Sequence, residues 1–137
     1  MAGTPACGLI ATFLGLWWIS PGETVDPGQA IDTTINGVYT QEQAEAGAAT
    51  FASVCLSCHD VSRFSGNAFR DRWEARTVAD LWGFLESAEP GAIHGSYPGD
   101  HYIGLIAYTL QLNSLPAGNT ELPVDTSALE AMRIEWE

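Results

Sequence analysis

The sequence predicts an all-α domain of three main helices, with an apolar segment ahead of it and a wrapping tail behind. Three observations carry this. Helix-start signals stand at Thr40-Gln41-Glu42-Gln43 and at Thr77. Apolar residues recur at helical spacing in Val78, Leu81, Trp82 and Leu85, and again in Ile103, Ile106, Ala107 and Leu110. Nothing in the chain suggests a sheet of any size. The 137 residues suit one hydrophobic core rather than two. Five tryptophans are many for that length, as if something large and flat must be wrapped. The chain divides into an export signal or membrane anchor at 1–20, a linker at 21–36 and a folded domain at 37–137.

Residues 6–19 carry no charge, which is short for a bilayer-spanning helix and suits the core of a signal peptide. An export segment, cleaved or not, is the first reading, although no Lys or Arg precedes it and no small-x-small site follows Trp17-Trp18-Ile19-Ser20. The second is an uncleaved anchor with both tryptophans at the membrane interface. Cys7 precedes the apolar core, whereas an acylated cysteine follows one, so it reads as a small buried hydrophobe. With three cysteines, two of them close together, the chain has no disulfide framework.

Pro21 to Asn36 is rich in Pro, Gly, Thr and Asp and reads as the linker. Thr40 then caps a helix whose Ala-rich body runs to Val54. Arg63 to Ala75 mixes Gly66, Asn67 and aromatics without clear period, which predicts an irregular loop turning Phe64, Phe69 and Trp73 inward. Thr77 caps a second helix through Ser87. Glu89 to Gly99 is a Pro/Gly loop holding His94. Asp100 opens the third helix, which runs to about Asn113 and stops at Leu115-Pro116-Ala117-Gly118. The tail to Glu137, with Leu122, Leu129, Ile134 and Trp136, reads as an extended or briefly helical strap.

Chemistry concentrates in Cys55-Leu56-Ser57-Cys58-His59, the c-type haem attachment pattern. Two thiols two residues apart occupy adjacent positions of a turn and can form thioethers with the two vinyl groups of one haem. The next residue, His59, falls under the iron as proximal ligand. Competing readings fit less well. A redox dithiol prefers a strand-then-helix context, and here a helix comes first. Zinc needs two more ligands, and Cys7, His94 and His101 supply no second paired spacing.

The formal charge of −12, from 17 acids against five arginines and no lysine, repels nucleic acid and anionic lipid headgroups. It favours a partner with a basic docking surface, and serves equally as a solubilising surface.

Further sequence features stand in a specific order around the motif. Gly37-Val38-Tyr39-Thr40, Gln43-Ala44 and Gly47 precede it, and Phe69 with Trp73-Glu74-Ala75-Arg76-Thr77 follows. Gly95-Ser96, Ala107-Tyr108, Asn113-Ser114-Leu115-Pro116-Ala117-Gly118 and Glu121-Leu122 come later. In these the chain resembles the monohaem class I cytochrome c domains that accompany pyrroloquinoline-quinone-dependent alcohol dehydrogenases, fused to them or as separate carriers. The resemblance spans roughly 37–134. It implies an all-helical class I cytochrome c fold around one covalent haem. The first and last helices would cross where Gly47 and Phe51 meet Tyr108. Two departures matter. The family's distal Met-Pro falls on Glu89-Pro90, so the expected methionine is missing. The stretch between His59 and Phe69 is short and lacks the proline whose carbonyl normally holds the proximal histidine, so another carbonyl must orient His59.

For the sixth iron ligand the candidates are His94, then Met132, then a vacant or water-bound position, then His101; Glu89 would be an unusual ligand. A second imidazole lowers a haem potential relative to thioether ligation, and an ionised Glu89 nearby lowers it further. The functional reading is an exported, periplasmic single-electron carrier or electron-transfer subunit, free or anchored through residues 6–19. It would pass electrons between a dehydrogenase or other donor and a respiratory or photosynthetic acceptor. The alternative is a haem-based ligand-binding protein or peroxidase with an open distal site, against which no distal Arg–His pair is recognisable. Membership of a larger membrane complex is compatible with the first reading.

Overall fold

A computed structural model describes Met1, residues 32–88 and residues 97–137. Residues 6–19 with Cys7, most of the linker, and the loop holding Glu89, Pro90 and His94 lie outside the described residues. Five helices follow in order: α1 Gln41–Val54, α2 Asn67–Trp73, α3 Val78–Ser87, α4 Gly99–Leu112 and α5 Thr126–Glu130. Among the described residues there is no strand, only two isolated bridges through Arg133. The all-α expectation holds at that level.

α1 begins as the sequence predicts. The Gln43 N–H donates to Thr40 Oγ1 at 3.4 Å and the Thr40 N–H donates to Gln43 Oε1 at 3.2 Å, a reciprocal capping box. Its inner face, Ala44, Gly47 and Phe51, is buried against α4. Gly47 is what lets the helices touch, because a Cβ there would overlap the Gly104 carbonyl. Phe51 packs edge-on against Tyr108 with ring centroids 5.2 Å apart. The expected crossing is therefore present, and Gly104 is the partner that sequence reading omitted. α4 is apolar on most of its circumference, with Tyr102 through Ala107, Thr109 and Leu110 all buried, as a central helix must be. It starts one residue earlier than expected, at Gly99, with Pro98 in the cap position.

α2 replaces the expected irregular loop. Phe69 and Trp73, four residues apart, are both 3% exposed, so the segment folds as two turns that bury one pair. α3 starts with a second capping box, in which Thr77 pairs with Asp80 at 3.0 Å in both directions. The tail straps this end of the molecule. The Val78 N–H donates to the Met132 carbonyl at 3.1 Å, the Ala75 N–H to Ile134 at 2.8 Å, and the Thr34 N–H to Arg133 at 2.9 Å. These bonds bring residues 32–36 into the folded body, where Thr34 is fully buried, so the domain starts before Gly37.

Candidate cofactor site

The attachment motif begins where α1 ends. Cys55 is the C-cap residue, still with helical angles, and its N–H donates to Phe51 O at 2.9 Å. The chain then closes a tight turn: the Cys58 N–H reaches the Cys55 carbonyl at 3.2 Å and the His59 N–H reaches the same oxygen at 2.9 Å. That turn places Cys55, Cys58 and His59 on the wall of one cavity of about 300 Å³. Its other walls are mostly apolar, with Val54 from α1, Phe64, Leu85 from α3, Tyr97 and Leu105 from α4, and with Arg63 at one edge. His59 is half-buried and packs edge-on against Phe64, centroids 5.9 Å apart. Its Nε2 lies 3.3 Å from the Ala88 carbonyl. The sequence calls for a carbonyl to hold the ring nitrogen turned away from the iron; the oxygen that reaches His59, that of Ala88, 29 residues on, lies against Nε2.

The thiols are unpaired with each other, Cys55 half-buried and Cys58 exposed. Burial pushes the Cys55 thiol above its ordinary value. Cys55 also sits at the negative end of the α1 dipole, the end that disfavours a thiolate. An activated dithiol needs the reverse, a thiol at a helix N-terminus or beside a cation. Both features weigh against dithiol redox chemistry. Among the described residues no group of three His, Cys, Asp or Glu side chains is arranged to hold a metal ion.

The distal candidates separate. Met132 lies at the opposite end of α3 from the cavity: its carbonyl binds Val78, whereas Ser87 and Ala88 border the cavity, and ten residues of helix span about 15 Å. Its half-buried side chain packs on the core. His101 is exposed and edge-on to Tyr97 at 5.8 Å, outside the cavity wall. His94 and Glu89 fall outside the described residues. The structure thus brings together Cys55, Cys58 and His59 and leaves Met132 and His101 apart from them.

A covalently held macrocycle fits this donor set. Two thiols at thioether spacing and one imidazole converge on walls that are otherwise mostly apolar. Two buried donors, Trp73 Nε1 and Tyr102 OH, have no hydrogen-bond partner among the described residues. Neither lines the cavity. Tyr102 packs on the cavity residue Tyr97, and Trp73 on Phe84, which packs on the cavity residue Phe64. No family model, curated protein or solved structure matches the chain.

Proposed function

We propose that this chain is a class I cytochrome c that carries one haem, bound through thioethers at Cys55 and Cys58 with His59 as axial ligand, and that it works as a single-electron carrier or electron-transfer subunit in the periplasm. The observation that carries the reading is the convergence of both thiols and the imidazole, from one turn at the end of α1, on one apolar cavity. A bound haem supplies a one-electron couple at its iron. The protein's part is to hold and shield. Cys55 and Cys58 fix one edge of the group to the rigid end of a 14-residue helix. His59 would hold the iron through its imidazole, whose Nε2 here faces the Ala88 carbonyl at 3.3 Å. Val54, Phe64, Leu85 and Leu105 exclude water, which tunes the potential through the local dielectric.

His94 is the sixth ligand we favour, because Met132 stands at the far end of α3 and His101, although it packs on Tyr97, does not line the cavity, and bis-imidazole ligation would make this a low-potential carrier. Two measurements test the reading. Expressed with an export signal beside a haem-attachment system, the chain should carry haem that survives acid-acetone extraction, and Cys55→Ala with Cys58→Ala should abolish it. Extractable haem in the wild type would refute covalent attachment. Low-temperature electron paramagnetic resonance of the ferric protein should give a low-spin bis-imidazole signal that His94→Ala removes. A high-spin signal in the wild type would mean an open iron and would put ligand-binding chemistry ahead of electron transfer.

A further inference from the structure

The charge of this chain is unevenly distributed along the sequence, with Asp60 and Asp80 flanking its arginine-rich stretch. Four of its five arginines and only two of its 17 acids lie between Arg63 and Arg76, so that segment carries +2 and the rest of the chain carries −14. The fifth, Arg133, joins them by donating to the Ala75 carbonyl at 3.2 Å. The side chains are also held in place. Arg63 and Arg72 both lie over the Phe84 ring, at 5.6 and 5.0 Å. Arg72 and Arg76 lie over Trp73 at 5.6 and 5.7 Å. Stacking of this kind fixes the planar guanidinium and is a role lysine fills poorly; Arg76 is held further by donating its Nε–H to the Arg72 carbonyl at 3.1 Å. Arg63, Arg72 and Arg76 are exposed, and Arg63 borders the cofactor cavity. Leu56, between the two thiols, and Val61, two residues before Arg63, remain 47% and 42% exposed.

We infer that this face, centred on Arg63 at the cavity's edge and on Arg72, which shares the Phe84 ring with it, is where a redox protein docks, and that the docking partner presents carboxylates. The net charge alone points to a basic partner, but only at long range. At physiological salt the screening length is about 8 Å, so a partner close enough to exchange electrons senses the arginines beside the cavity more than the acids across the molecule. The acidic groove of Glu42, Asp100 and Glu121, set between α1 and α4, belongs to that other surface.

The inference rests on the haem reading, and the test separates the two. The reduced holoprotein is mixed in stopped flow with an anionic oxidant, ferricyanide, and separately with a cationic one, tris(phenanthroline)cobalt(III), at about 0.1 M ionic strength, where local charge decides the rate. Arg63→Gln and Arg72→Gln should each slow ferricyanide about threefold and speed the cobalt complex by a similar factor. Arg72→Lys, which keeps the charge and loses the fork, should leave both rates near wild type. Glu121→Gln, on the far groove, should change neither. Unchanged rates in both arginine variants would overturn the inference while the haem reading stands. So would sedimentation with phosphatidylserine vesicles that the arginine variants abolish while ferricyanide rates stay put, since the face would then serve a lipid surface. A purified protein without a haem absorption band fails the haem reading itself, and this inference with it.

Discussion

Tyr39 is 1% exposed and its hydroxyl donates to the Leu115 carbonyl at 2.6 Å; burial pushes the phenol from 10.0 up to about 12. A raised pKa means the folded state holds the proton more tightly than the unfolded chain. The stabilisation is therefore complete below pH 10 and lost progressively as pH rises from 10 to 12. Urea unfolding at pH 9 and pH 11 should show a marked fall for wild type and a smaller one for Tyr39→Phe. At pH 7 that variant should be about 1 kcal/mol less stable, the value of one buried hydrogen bond. An equal pH dependence in both proteins would remove Tyr39 as its source. Legibility at this scale follows contiguity. Cys55, Cys58 and His59 stand in one pentapeptide, and the turn that aims them is made by that same pentapeptide. The Ala88 carbonyl beside His59 and the cavity residues Tyr97 and Leu105 come from 29 to 46 positions away, and alanine and leucine carry no local signal of such a role.

Helices α1 and α4 meet through a pair of glycines, and the pair decides how close two backbones can come. Gly47→Ala would drive a methyl into the Gly104 carbonyl with no side chain able to yield. The expected cost is about 3 kcal/mol or more, at the upper end for overpacking, and should read out as a large drop in the unfolding midpoint. Gly83→Ala makes the control, since a Cβ there meets nothing within 4 Å and alanine is the better helix former. It should be neutral or stabilising by up to about 1 kcal/mol. Helix starts were readable because caps are local: Thr40 and Thr77 announce α1 and α3, and alanine at either should cost about 1 kcal/mol. α2 was not readable. Seven residues are too short for a period to repeat, and Gly66 ahead of them adopts φ 86 with no side-chain cap, which looks like loop in sequence. What makes α2 helical is tertiary: Phe69 and Trp73 against the core, with Trp136 from the tail under Arg70 at 5.3 Å.

Across the whole molecule the balance is between a core built on one central helix and a surface that repels itself. The core was legible because its apolar positions repeat on α3 and α4; the fold's lower boundary was not, since Asp32 and Thr34 reveal their role only when the tail returns from a hundred residues away. The surface makes its own prediction. At 10 mM ionic strength the screening length of about 30 Å spans the molecule, so the 17 acids repel one another throughout; at 0.15 M it shrinks to about 8 Å. Screening also weakens attractions such as those of Arg76 and Arg133 on Asp80, but exposed pairs contribute only about 0–1 kcal/mol each. Repulsion among so many like charges outweighs them. The thermal midpoint should rise by roughly 3–6 °C between 10 mM and 0.15 M sodium chloride, corresponding to about 1–2 kcal/mol for a domain of this size. A falling midpoint would show that the arginine cluster, despite its small number of charges, governs stability. Glu121→Gln and Glu130→Gln together, both exposed, should recover part of the gain at low salt and almost none at high salt. That crossover distinguishes relief of charge repulsion from a salt effect on apolar burial, which would raise both proteins alike.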